Sequence, residues 1–114
     1  NSAHARINQV FVKAGITFED IKDISFEGLN QDGLNLVYES LLLESILNEA
    51  FTKRDMQQIT EYLYSLASSI HKFYNEHTVI GSDEQNTYLK VLSSASWSIN
   101  VGLALLGIKA KEIM

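Results

Sequence analysis

Cysteine and proline are both missing from the 114 residues, and histidine occurs only at positions 4, 71 and 77. Without cysteine there can be no disulfide and no thiolate zinc site. The histidines never fall four apart, so no helix turn offers two imidazoles to one metal. No Glu-x-x-His pair supports a di-metal carboxylate site of the kind found in helical bundles. A glycine-rich phosphate loop and a nucleophile elbow are likewise absent. We therefore expect no catalytic residue, no metal ligand and no bound cofactor within the chain. Strongly apolar runs are short, as at Leu41-Leu42-Leu43, whereas a membrane span needs about 20 residues. No secretory signal is visible, so no membrane partner is expected and the location should be cytoplasmic. The first residue is Asn, not Met, which suggests a piece of a longer protein. The net charge of −5 weighs against an autonomous nucleic-acid binder, because phosphate contacts need a local excess of Lys and Arg.

What is present is helical periodicity. No proline and only six glycines predict an all-α fold: one domain, residues 1–114, built as a bundle of about four main helices with a short acidic connector. The first helix carries Ala3, Ile7, Val10 and Ala14 on one face and should stop at Gly15, a good left-handed cap. The acidic stretch from Phe18 to Glu27 has room for one or two short turns, and Asn30–Gly33 reads as a loop. A second helix is predicted from about Leu34 to Phe51, capped by Asp32, with Leu34, Val37, Leu41 and Ile46/Leu47 facing the core. A third opens at Thr52-Lys53-Arg54-Asp55, a variant capping box. Met56, Ile59, Leu63, Leu66, Ile70 and Phe73 give it the cleanest stripe in the chain. A fourth opens at the Ser82-x-x-Gln85 box with Tyr88, Val91/Leu92, Ala95, Ile99, Leu103 and Leu106, and should end at Gly107. In the serine-rich stretch Ser93–Ser98, small side chains are suited to close helix approach.

The segment from His71 to Thr78 closes the third helix with two aromatics, two histidines, a lysine and an asparagine. A ring can stack on a base, amide and imidazole groups can read base edges, and a cation can meet phosphate. Phe73 continues the apolar stripe and is expected in the core. Tyr74 is rotated about 100° from it, and the residue pattern leaves open whether it packs inside or meets a ligand.

These residues also carry a family resemblance. The stretch Ile70–Gly81, with its helix ending in Phe73-Tyr74, resembles that of class I arginyl-tRNA synthetases. Gly102-Leu103-Ala104-Leu105-Leu106-Gly107-Ile108, followed by a tail ending on Met114, resembles the end of those enzymes. Ala3-His4-Ala5-Arg6-Ile7 resembles the motif that opens their anticodon-binding domain. The three matches occur in the family's order and span nearly the whole chain. The resemblance implies a helical domain that grips the anticodon stem-loop of arginine tRNA. It implies a pocket for the middle anticodon base built from Arg6, Tyr74 and Met114, with Lys72, Asn75, His77, Lys109 and Lys111 as further tRNA contacts. It implies a parent that is an arginine–tRNA ligase, using ATP with magnesium, monomeric, its catalytic domain joined to this one in the same chain. The tail after Gly107 is then expected to fold back toward the first and third helices.

Three positions depart from the pattern. Ser2 stands where tyrosine is usual, Asn100-Val101-Gly102 replaces an Asn-Gly pair, and Thr78 replaces a tryptophan found in some relatives. The competing class is a non-enzymatic helical interaction module. It accounts for a bundle and for acidity, but not for three ordered motifs.

Overall fold

A computed structural model describes the backbone of residues 2–113 and the side chains of residues 5–108. Among the described residues five α-helices make up the fold: α1 (Ser2–Ala14), α2 (Gln31–Leu41), α3 (Leu43–Lys53), α4 (Gln57–Glu76) and α5 (Gln85–Ile113). A single 3-10 turn, Phe18–Asp20, lies in the acidic connector. Thr17 and Asp20 close it, the Asp20 carboxylate accepting from the Thr17 amide at 2.8 Å. The bundle measures 47 × 26 × 25 Å. α5 is its axis, packing against α1, α2 and α4, while α3 packs chiefly on α4 and α2.

The stripes of α1, α4 and α5 predicted from periodicity pack over most of their length, but Leu103, expected on the α5 stripe, is 44 % exposed, and the side chain of Ala3 lies outside the described residues. Ile7, Val10, Ile59, Leu63, Leu66, Ile70, Phe73, Tyr88, Val91, Leu92, Ala95 and Ile99 are all buried. α1 stops at Gly15, whose φ of 72° is left-handed and whose amide donates to the Phe11 and Val12 carbonyls. The close approach expected of the serine-rich stretch is present: Ser96 and Ser98 are buried. The α4–α5 contact is as tight at Gly102, where an added Cβ would lie 2.6 Å from Leu63 Cδ2.

The predicted second helix needs correcting in three ways. It begins at Gln31, because Asn30 and not Asp32 is the cap, its side-chain oxygen accepting from the Gly33 amide at 2.8 Å. Its buried face is Gly33, Leu36 and Ser40, whereas Leu34 and Leu41 are 44 % and 73 % exposed. It also breaks at Leu42, whose amide donates to Glu39 O, three residues back. No glycine or proline causes this break. The cause is tertiary. Tyr62 Oη of α4 donates to Glu39 O at 2.6 Å and to Ser40 O at 3.2 Å, and Ser98 Oγ of α5 donates to Ser40 O at 3.2 Å.

The other helix ends differ for local reasons. Arg54 takes the left-handed conformation (φ 56°, ψ 36°) and ends α3, with the Asp55 amide reaching back to Ala50 O at 2.9 Å. That is a Schellman-type closure without glycine, so Thr52–Asp55 terminates one helix and does not cap the next. At the Ser82 box, Ser82 Oγ donates to Val79 O and the Gln85 side chain accepts from the Gly81 amide, so both residues shape the loop. α5 does not stop at Gly107 but continues to Ile113. A glycine inside a helix costs about 1 kcal/mol, and the following Lys, Ala and Glu are good helix formers. The backbone of 108–113 therefore prolongs α5 instead of folding back. Met114 lies outside the described residues, as do the side chains of Lys109 and Lys111.

By length and composition, residues 85–108 of α5 contain an 18-residue window, of mean hydropathy 1.5, apolar enough to cross a membrane. Short apolar runs in the sequence do not reveal this, because Ser and Gly interrupt a helix that is apolar on average. In the fold this helix supplies Leu89, Leu92, Ala95 and Ile99 to the core.

Burial first, and then the Glu39 carboxylate, push the Tyr62 phenol up from 10.0 to about 12. A raised folded-state value means that the neutral phenol favours folding. The contribution is complete below about pH 10 and disappears as pH rises toward 12. Tyr62→Phe should cost about 1 kcal/mol at neutral pH through the lost hydrogen bonds. The gap between wild type and variant should narrow by roughly 1 kcal/mol or more between pH 9 and pH 11. Denaturant titrations of both proteins at the two pH values measure this.

Candidate nucleic-acid interface

The end of α4 is held by side chains from two other helices. Phe73 is buried, and its ring stacks on His77 with centroids 4.4 Å apart and planes 29° apart. Both rings meet Tyr88 of α5 edge-on, at 5.2 Å and 5.7 Å. His77 Nε2 lies 3.0 Å from Asp32 Oδ2 in the first turn of α2. Asn30 adds a second tie, donating its amide to Tyr88 Oη at 2.8 Å while capping α2. The starts of α2 and α5 thus clasp the last turn of α4.

This clasp determines what the turn presents. Phe73 is a core residue, as the stripe implied. Tyr74 is half-buried at the edge of the core, leaving part of its ring accessible. Lys72 and Asn75 are exposed. Lys72 also borders a shallow hollow of about 150 Å³ with Asp32, Asn35 and Glu76. The ring of His77 is already occupied by Phe73, Tyr88 and Asp32, so it orders the helix end. Lys72, Tyr74, Asn75 and His77 all lie on the last turn of α4 and its cap, with Lys72 and Tyr74 about 200° apart around the helix.

Arg6 is exposed on α1. Among the described residues, no hydrogen bond, ion pair or ring contact joins Arg6 to Tyr74. α5 runs on from Tyr88 to Ile113, and Met114 lies outside the described residues. Phe73 packs beside Tyr88, and Tyr88 and Ile113 are separated by roughly 37 Å of helix at about 1.5 Å per residue.

Glu19, Asp20, Asp23 and Glu27 are exposed on the connector between α1 and α2. Lys22 and Lys53 are neutralised locally by Glu19 and Glu49. Lys90 donates to Ile24 O and lies 5.0 Å from the centre of the Phe26 ring, pinning the connector to α5. Arg6, Lys13 and Lys72 make no ion pair among the described residues. No group of His, Asp and Glu among the described residues is placed to hold a metal.

Sequence reasoning singled out the end of α4 but missed Asn30, Asp32 and Tyr88 as its supports. His77 and Asp32 are 45 positions apart and Asn30 and Tyr88 are 58 apart, so no local spacing announces either contact. Asn30→Ala removes a cap and a tie to α5 at once. It should cost about 1–2 kcal/mol, read by thermal unfolding. Amide exchange should quicken most at the start of α2.

The family model described as "DALR anticodon binding domain" matches residues 1–114. The arginine–tRNA ligase of Aliarcobacter butzleri is 84 % identical over 114 residues, all of this chain and 22 % of that protein. The same enzyme of Campylobacter lari is 51 % identical over the same shares. A crystal structure of an arginyl-tRNA synthetase from Campylobacter jejuni aligns with a TM-score of 0.89 and 47 % identity. That alignment covers 93 % of this chain and 24 % of the other. The chain therefore spans about a fifth of the length of these relatives.

Proposed function

The chain belongs to the DALR anticodon-binding domain family, and from that membership we propose that it recognises the anticodon stem-loop of arginine tRNA within an arginine–tRNA ligase. The observation that carries the reading is the family match over the whole chain, joined to a clasped helix end that offers a ring, an amide and a cation. A pre-ordered ring loses little entropy when a base stacks on it, and stacking tolerates any base. Edge-reading groups must then supply selectivity. No observation favours the alternative of a helical interaction module without a nucleic-acid role.

In this proposal Tyr74 is the stacking ring, Asn75 and His77 flank it, and Lys72 meets phosphate. Arg6 and Met114 join Tyr74 in reading the middle anticodon base. With α5 helical to Ile113, contact is spread along the bundle between the end of α4 and the chain end, where Lys109 and Lys111 add positive charge. The whole enzyme would attach arginine to its tRNA using ATP and magnesium, as a cytoplasmic monomer. Its chemistry would lie in the remaining four-fifths of the polypeptide, because neither a His-x-Gly-His nor a Lys-Met-Ser-Lys-Ser signature occurs here. A net charge of −5 fits a domain that supplies selectivity while other parts supply most phosphate contacts.

Tyr74→Ala in the full enzyme should weaken tRNA binding by about 1–3 kcal/mol and leave arginine activation without tRNA intact. A large fall in melting temperature with unchanged tRNA affinity would instead make Tyr74 a core residue. Arg6→Lys keeps the charge but loses the planar fork of donors. It should lower discrimination between tRNAs differing at the middle anticodon base, measured as a ratio of kcat/KM. Full selectivity with lysine would reduce Arg6 to a counter-charge.

A further inference from the structure

Midway along α5 the bundle carries an open groove of about 850 Å³, walled by α1, the end of α2 and α5. Val12, Leu41 and Trp97 line it while 80, 73 and 66 % exposed, and Phe18 at its edge is 46 % exposed. No Lys, Arg, Asp or Glu lines it. Ser96, also in its lining, is 2 % exposed and its hydroxyl has no hydrogen-bond partner among the described residues. Four large apolar side chains left to water around one groove mark a surface that something covers.

Three occupants differ in what they would require. Nucleic acid needs cations beside any stacking ring, and the lining has none. A second copy would need a self-complementary patch of roughly 800 Å² on each partner, and a concave groove does not fill itself. Polypeptide of the same chain needs neither. In relatives this domain is about a fifth of the length and forms the C-terminal part. A short tether gives the preceding polypeptide an effective concentration near millimolar, so a modest apolar patch suffices for stable docking.

We propose that the groove bounded by Val12, Leu41 and Trp97 seats an apolar segment of the polypeptide that precedes the domain. Docking there fixes the bundle against the catalytic part of the enzyme and leaves the end of α4 facing outward. The inference rests on family membership and the groove, not on the anticodon contacts proposed above.

The test uses the full-length ligase with the photoreactive amino acid benzoylphenylalanine placed at position 97 or 12. Position 64 serves as control, because Tyr64 is 77 % exposed and does not line the groove. Irradiation followed by mass spectrometry should give intrachain cross-links to residues preceding the domain. Their yield from positions 97 and 12 should be at least tenfold that from position 64. Cross-links chiefly between two copies, cross-links chiefly to added arginine tRNA, or yields equal to the control would each overturn the proposal. A second measurement is limited proteolysis of the full-length Leu41→Glu variant. A carboxylate in the docked groove should speed cleavage between the domain and the rest of the chain at least threefold. An unchanged rate would overturn the proposal. Failure of the anticodon reading is separate: Tyr74→Ala without effect on tRNA affinity would leave the cross-links as they are.

Discussion

The bundle depends on what happens to two carbonyl oxygens. Those of Glu39 and Ser40 accept hydrogen bonds from Tyr62 of α4 and Ser98 of α5. Three helices thereby meet at one junction. Side-chain donors at these oxygens accompany the break at Leu42, which lets α3 leave the line of α2 and lie on α4. Ser69 reinforces the junction by donating to the Glu39 carboxylate at 2.8 Å. A buried carbonyl left without a partner costs about 1–3 kcal/mol, so the break and the two donors are coupled features.

From that junction α2 and α5 both run toward the end of α4. Tyr62 fixes one end of the α2–α4 contact, and the Asp32–His77 pair fixes the other. A helix end normally frays because its last carbonyls lack partners. This one is steadied by ring contacts from α5 and a polar contact from α2. The result is a terminal turn rigid enough to hold Tyr74, Lys72 and Asn75 in fixed relation. Rigid support under a small set of exposed polar and aromatic groups is what selective recognition needs.

The groove beside Trp97 and the end of α4 differ in chemistry. One is apolar and free of charge, while the other combines a ring, an amide and a cation. They are joined through α5 and α2, whose start supports the end of α4 and whose end borders the groove. A domain with one surface for its own polypeptide and another for an external ligand can be held and can bind at once. The acidic connector also suits this division. It is tied down by Lys90 through Ile24 and Phe26 and adds no cation to either surface.

The sequence alone determined the helical class, the faces of α1, α4 and α5, the left-handed stop at Gly15 and the burial of Phe73. These follow from the 3.6-residue period and from glycine's freedom at positive φ, both local properties. The Ala3–Ile7, Ile70–Gly81 and Gly102–Ile108 motifs also made the family legible, since order and spacing survive without any fold. Only the tertiary structure decided the rest. The break at Leu42 comes from donors 20 to 60 positions away, and the exposure of Leu34 and Leu41 follows from the rotation of α2 onto Gly33, Leu36 and Ser40. Arg54 occupies a left-handed position that arginine seldom takes, and α5 passes through Gly107 because its neighbours favour the helix. Whether Tyr74 faced inward or outward was likewise undecidable from its place one step off the stripe. In the fold it is half-buried, packed in part against the core, because burial is decided by which helices meet and not by the period of one.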